Sequence, residues 1–194
     1  MPLNYRRCVP ESDLATYACD PCMDGEKGRV RGCAYIHKSL KADLTKINLE
    51  SKEWWETQIE AGLIRIIPKT RGTYDGGTVN PVDGFGSVKQ KKVSKTHIVT
   101  VNDPNHTGND EFYNALENAA EAHDYYFAFI TGKELRVATE PLDAVEAKDP
   151  IEEDVESLVL WQVINTWTQS GSKKNIPIYA LGEVVDVFEC VDED

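Results

Sequence analysis

The sequence lacks any long apolar run. No apolar stretch follows Arg6 and Arg7 near the N-terminus, and no later segment reaches the length of a membrane span. A secretory signal needs an apolar core of about 7–15 residues, and a spanning helix needs about 20. We therefore expect neither secretion nor membrane attachment. Hydrophobic residues make up 41% of the chain and charged residues 28%, which is typical of one folded domain over residues 1–194.

Motifs that carry common enzyme chemistries are also missing. There is no Gly-Lys-Ser/Thr for phosphate, no Gly-x-Ser-x-Gly elbow and no His-Glu-x-x-His. His97 alternates with valines, so we expect a buried strand residue rather than a general base. We expect Asp103, His106 and Asp110 to form turns and a cap rather than a cation site. No carboxylate pair can be nominated for a hydrolase of sugars. We predict that the chain is not an enzyme and binds no cofactor.

The cysteine count is odd, and no secretory signal indicates an oxidising compartment, so a disulfide framework is not expected. Cys19 and Cys22 form a Cys-x-x-Cys turn able to present two thiolates to one metal. The second close pair of a typical zinc site is missing, so we expect reduced thiols. A zinc site remains the alternative, and its ligands would be Cys8, Cys19, Cys22 and Cys33.

Charge is distributed unevenly along the chain. Acidic residues outnumber basic ones by 33 to 21, for a net charge of −12. Residues 1–97 hold 16 basic and 12 acidic residues, a balance of +4, whereas residues 98–194 hold 5 and 21, a balance of −16. The total argues against tight binding of a nucleic-acid backbone. The opposite halves favour contacts between copies, basic face to acidic face, and a solvated acidic surface is the plainer alternative.

Hydrophobic patterning predicts mostly strands with two helices between them. A long glycine-rich loop is predicted from Gly72 to Gly86 and an acidic connector from Glu140 to Glu156. Within the mixed tail from Ile176 to Val191, the residues Val184, Val185, Val187 and Phe188 fit either a last strand or a short helix. The helices are expected at 51–62, capped by Ser51, and from Asn109 to about His123. The strands are expected at 29–37, 63–67, 88–103, 125–130, 134–139 and 157–168.

This order predicts an α+β fold, with a mostly antiparallel β-sandwich or open barrel flanked by a helix. The strand 157–168 is apolar on both faces and is expected in the middle of a sheet. Within a single domain, we expect a cysteine-containing segment and first strand over 1–37, a helix, strand and loop insertion over 38–87, and a core over 88–194.

Several stretches together resemble a known family. The chain is similar to the ring-forming, tail-tube-like structural proteins in the neck and tail of crAss-like bacteriophages. The similarity covers most of the chain and lies in the order of these stretches and their residue patterns. It is carried by Cys19-Asp20-Pro21-Cys22 with Gly28-Arg29-Val30-Arg31, by Trp54-Trp55 leading to residues 61–68, by Thr70 and Gly72, by Gly84-Phe85-Gly86, by the long strand ending at Asp103 with the helix carrying Asn109, Phe112 and Leu116, and by Trp161, Val163, Trp167, Ile176-Pro177 and residues 187–190.

The resemblance implies a tail-tube type of fold and an architectural role. It implies a virion protein of the neck or tail, made in the cytoplasm of the host bacterium. Copies would form a homo-oligomeric ring, such as a dodecamer, against adjacent neck or tail ring proteins, with DNA passing through transiently and without specificity. The strand 88–103 would line the channel, and the glycine-rich loop would reach the next ring. The interface candidates are Lys89, Lys91, Lys92, Lys95, Gly76, Gly77, Gly84 and Phe85.

A second function stays open at this point. A zinc-stabilised binding module unrelated to phage would use the four cysteines near the N-terminus, and it would be a stable monomer. We expect the lysines of the strand 88–103 to face an acidic neighbour if the chain forms rings.

Overall fold

The structure is a computed structural model that describes residues 29–82, 91–105, 108–118, 122–150, 159–170 and 175–188. Over these residues the chain forms ten strands and a few short helices. The strands are β1 (Gly32–His37), β2 (Ile64–Ile67), β3 (Arg71–Tyr74), β4 (Thr78–Val82), β5 (Lys91–Asp103), β6 (Tyr125–Ile130), β7 (Glu134–Val137), β8 (Ala144–Lys148), β9 (Trp161–Ser170) and β10 (Ile178–Ala180). The helices are α1 (Lys46–Leu49), α2 (Lys52–Glu60) and α3 (Asp110–Glu117), with 3₁₀ helices at Lys38–Asp43 and Gly182–Phe188.

The strands form two antiparallel sheets. Sheet I has the order β10-β7-β6-β1-β2, and sheet II has the order β3-β5-β9-β8, with β4 pairing further along β5. The fold is therefore α+β with two antiparallel sheets, as the order of elements predicts. The strands expected at 125–130 and 134–139 are confirmed as β6 and β7, which pair directly as a hairpin.

The two sheets pack face to face over a shared core. The hydroxyl of Tyr35 on β1 donates to Asn165 Oδ1 on β9 at 2.8 Å, and the ring centroids of Phe127 and Trp167 lie 5.8 Å apart. At one border Val30 forms a two-way backbone bridge with Gly72, which ties the entry to β1 of sheet I to β3 of sheet II. Alternating side chains of both sheets thus fill one layer, as expected of two packed sheets.

A layer of short helices covers the other face of sheet I. Ser51 accepts a hydrogen bond from the backbone of Trp54 and begins α2, as predicted, and Gly62 follows the helix with a positive φ of 74°. Trp55 is fully buried beneath this layer, and its Nε1 donates to the carbonyl of Leu49 at 3.1 Å. Because both faces of sheet I are covered, β1 and β6 are almost continuously apolar.

Several expectations from the sequence are wrong. Gly72–Val82 is not a loop, since it forms β3 and β4 along the edge of sheet II. The acidic connector contains an edge strand, β8, whose charged residues point outward. Asn109 precedes α3 without a side-chain cap bond, since its Nδ2 donates to the carbonyl of Asn105, and α3 ends at Glu117 rather than near His123.

The last two segments also differ in detail from the prediction. β9 does lie inside a sheet, between β5 and β8, but only one of its faces is buried. In the tail, Val184, Val185, Val187 and Phe188 belong to the 3₁₀ helix Gly182–Phe188, so the helical alternative is the correct one. The short strand β10 before it was not predicted and pairs with β7.

Candidate assembly surface

The outer face of sheet II is broad and uncharged along its two central strands. Cross-strand pairs place Thr96 opposite Thr168 and Thr100 opposite Ile164, with Ile98 38% exposed between them. None of the ten outward residues at 94–102 of β5 and 162–170 of β9 carries a charge. They are Ser94, Thr96, Ile98, Thr100 and Asn102 on β5, and Gln162, Ile164, Thr166, Thr168 and Ser170 on β9.

Hydrogen bonds between side chains order this face. Asn80 Nδ2 on β4 donates to Thr96 Oγ1 at 2.9 Å and to Ser94 Oγ at 3.2 Å, and Thr96 Oγ1 lies 3.3 Å from Thr168 Oγ1. These contacts link three neighbouring strands through short polar side chains. Such pairs stabilise a sheet while leaving its outer surface flat and hydrophilic.

The predicted lysine cluster is only partly described. Lys95 is half-buried, and its Nζ donates to Asn175 Oδ1 at 3.0 Å, so this lysine is held by its own chain. Lys91 and Lys92 pair through their backbones with Val82 and Pro81 of β4. Lys89 lies outside the described residues.

Gly76 and Gly77 belong to a bulge in the edge strand rather than to a reaching arm. Tyr74 pairs with Val99 and Thr78 with Thr96, so three residues of the edge oppose two of β5. Gly76 and Gly77 have φ angles of 83° and 79°, and a Cβ on Gly77 would lie 2.6 Å from His97 Nδ1. Glycine is therefore required at 77 by both backbone and packing. Gly84 and Phe85 lie outside the described residues.

His97 is a buried residue of the core, as predicted. Its ring is fully buried, stacks on Trp167 with centroids 5.3 Å apart, and its Nδ1 lies 2.8 Å from the hydroxyl of Tyr74. Burial raises the pKa of Tyr74, which keeps its hydroxyl protonated. These contacts tie β3 to the core.

Asp103 is also committed to structural contacts. It is 2% exposed, its Oδ2 accepts from the hydroxyl of Tyr113 at 2.6 Å, and its Oδ1 accepts from the backbone of Asn105 at 2.9 Å. Asp110 is exposed in the first turn of α3, and His106 lies outside the described residues. Within the described ranges no three His, Cys, Asp or Glu side chains are grouped to hold a metal.

Cys33 faces the shared core between the sheets and is fully buried. Burial, and then the nearby Asp103 carboxylate, raise the pKa of its thiol far above the ordinary value. Zinc binds the thiolate, so this environment disfavours Cys33 as a ligand. The other three candidate ligands, Cys8, Cys19 and Cys22, lie outside the described residues.

We expect the Cys33 thiol to be unreactive in the native protein. A raised pKa leaves it protonated through neutral and mildly alkaline pH, and burial excludes reagent. Treatment with iodoacetamide at about pH 8, followed by peptide mass mapping, should leave Cys33 unmodified in buffer and modified in 8 M urea. Rapid native modification at this position would contradict the buried placement.

Sequence patterning missed two features of sheet II. The buried face of β9 carries polar atoms without hydrogen-bond partners, on Asn165 Nδ2, Trp167 Nε1 and Gln169 Oε1, although the strand looks apolar. It also missed that arginines gather at the β3 border, because they lie about forty residues apart in sequence and meet only through the bridge of Val30 to Gly72.

No helix in the described ranges is long and apolar enough to cross a membrane. The geometry thus presents a polar sheet face with two charged borders and a tightly packed interior. Compared with family models, with curated proteins and with solved structures, the chain matches none of them.

Proposed function

We propose that the chain is a structural subunit that assembles with identical copies into a ring in a phage neck or tail, enclosing the passage for the genome. Its resemblance to tail-tube-like proteins of crAss-like bacteriophages motivates this role. The two packed antiparallel sheets with flanking helices are compatible with it. In this arrangement the subunit acts through its surfaces and not through a reaction.

The observation that carries the proposal is the uncharged outer face of β5 and β9. Ten outward residues, at 94–102 of β5 and 162–170 of β9, hold no lysine or arginine and no carboxylate. Polyanions bind proteins mainly through lysine and arginine contacts to phosphate. A wall made of threonine, serine, asparagine, glutamine and isoleucine gives DNA no such contacts, so DNA slides past it.

The position of Lys95 supports this arrangement. Lys95 alternates with Thr96 along β5, so its side chain leaves the opposite face of the sheet and bonds to Asn175. The basic side chain therefore does not interrupt the polar wall. Beyond the two central strands, charges on the outer face stand on the border strands, at Arg71 on β3 and at Glu146 and Lys148 on β8.

The test is the assembly state of the purified full chain. Size-exclusion chromatography with light scattering should give a mass that is a multiple of the 21.7 kDa subunit, and negative-stain electron microscopy should show rings with a central opening. The measurement is made over a range of protein concentrations and at low salt, because high concentration and weak screening both favour association through weak contacts. A chain that stays monomeric under all these conditions would contradict the proposal.

A further inference from the structure

The border of sheet II at β3 is strongly basic. Arg29, Arg31, Lys69 and Arg71 are all exposed, and the bridge of Val30 to Gly72 holds the two short segments that carry them side by side. We call these four residues the basic edge. Residues 29–31 and 69–74 contain no carboxylate, and in the described part of the chain Arg29, Arg31 and Arg71 form no ion pair.

A groove lies between two of these arginines. Its volume is about 260 Å³, and Arg29 and Arg71 stand on its walls, with Gly72 and Thr100 between them. A second cavity of about 380 Å³ adjoins it across Gly72 and Thr73, where Arg136 is already neutralised by Glu134 at 2.7 Å. Arg29 and Arg71 thus line the first groove, which has room for carboxylate side chains.

The opposite border of the same sheet is acidic. Glu146 is exposed on β8, and Asp143 is exposed just before this strand. Glu117 of the adjoining α3 is also exposed and contacts the backbone of β8. Asp110, Glu111 and Asp149 add further exposed carboxylates, and the basic residue on β8 itself is Lys148, which pairs with Glu146 at 2.8 Å. We call Glu117, Asp143 and Glu146 the acidic edge.

The two edges lie at the same level of the sheet. One row of paired residues runs from Thr73 through Thr100 and Ile164 to Glu146, and the next runs from Arg71 to Lys148. Each row crosses four strands, so the two borders are three strand spacings apart, about 14 Å. A neighbour shifted sideways, and by two residues along the strands so that Glu146 rather than Lys148 meets Arg71, would bring its acidic edge to the basic edge of the first copy.

We propose that the acidic edge of one copy docks against the basic edge of the next, head to tail. The contact is heterologous, and repeated contacts of this kind close into a ring when the rotation allows it. The inference rests on the proposed function and names the surfaces that would build the ring, with the uncharged face of β5 and β9 turned to the channel.

Side chains rather than added strands make this contact. Gly72 already exchanges both of its backbone hydrogen bonds with Val30, and on the other border the backbone of Ala147 donates to Glu117 Oε1 at 2.8 Å. Both borders therefore have backbone groups occupied within the subunit. Charge complementarity sets the partner and orientation, and the association should weaken with added salt because screening shortens the reach of exposed charges.

The experiment uses paired charge reversals in the full chain. Arg29→Glu with Arg71→Glu cancels the net positive charge of the basic edge, and Asp143→Lys with Glu146→Lys makes the acidic edge basic. Each variant alone should lose assembly, with at least a ~100-fold weaker association by light scattering and analytical ultracentrifugation. An equimolar mixture of the two variants should form heterodimers, since the unaltered acidic edge of the first variant then meets the unaltered basic edge of the second. Circular dichroism checks that each variant is folded.

Matched variants control for net charge. Lys41→Glu with Lys46→Glu, and Glu53→Lys with Glu60→Lys, change exposed residues of the helical layer by the same amounts and should assemble like the wild type. If both edge variants assemble as the wild type does, or if the mixture forms no heterodimers, this inference is overturned while the ring role stands. A wild-type chain that is monomeric at low salt overturns both.

Discussion

Replacing Trp167 with alanine is expected to lower the free energy of unfolding by about 3–5 kcal/mol. The side chain is fully buried between the two sheets, with its ring 5.8 Å from that of Phe127 and stacked on His97. Truncation would leave a large cavity in the shared core and remove the support of His97, which holds Tyr74 and β3. Urea unfolding followed by circular dichroism measures the loss.

Two variants of the same strand make this result specific. Thr168→Ala removes a neighbouring side chain on the outer face and should cost no more than about 1 kcal/mol. Trp167→Phe should retain most of the stability, because the indole N–H that it removes has no hydrogen-bond partner. A loss from Trp167→Ala no greater than that from Thr168→Ala would place the ring outside the core.

Replacing Trp55 with alanine is expected to be comparably severe, at about 3–5 kcal/mol. Trp55 is fully buried where α2 and the 3₁₀ helix Gly182–Phe188 meet sheet I, with its ring centroid 5.5 Å from that of Phe188. Its Nε1 also satisfies the carbonyl of Leu49 at the end of α1. The variant should therefore destabilise α1, α2 and the 3₁₀ helix Gly182–Phe188 locally. This local effect should exceed the one expected from the loss of global stability alone.

Hydrogen exchange tests the local part of this expectation. In Trp55→Ala, amides of α2 and of residues 182–188 should exchange faster, while those of β5 and β9 change in proportion to global stability alone. Trp54→Ala is the matched control, since this neighbouring ring is only partly buried. Equal protection of the helical layer in wild type and Trp55→Ala would show that other contacts hold it.

Local patterning predicts the elements with strong periodicity. The apolar runs of β1 and β6 and the capping residue Ser51 mark their segments, because burial on both faces and a satisfied helix start leave direct traces in sequence. The alternation of His97, Val99 and Val101 gives the buried face of β5 correctly.

Elements stabilised by distant partners are not predictable in this way. β3 and β4 contain Gly72 and a glycine bulge, so their local preference is for a loop, and pairing with β5 overrides it. β8 is an edge strand with alternating charge, and its strand conformation depends on pairing with β9. Both failures concern edges, where burial contributes least to the pattern.

The candidate surface was predictable only in part. The segregation of charge between the halves of the chain is visible in the sequence, and the lysines near β5 are the obvious basic cluster. The structure instead groups Arg29 and Arg31 with Lys69 and Arg71 through one bridge of the backbone. A long-range pairing of this kind has no local signal, so charge counts alone indicate the wrong residues.

The extra residue at Asp75–Gly77 has a consequence for solubility. Without it, β3 and β4 would form one straight border strand of about twelve residues, and a long flat border with open amide and carbonyl groups can template the growth of fibrils. The bulge breaks the even spacing of these groups, and Asp75 adds a charge at the break. This break in the border disfavours the stacking of β3 and β4 of different copies into a cross-β assembly.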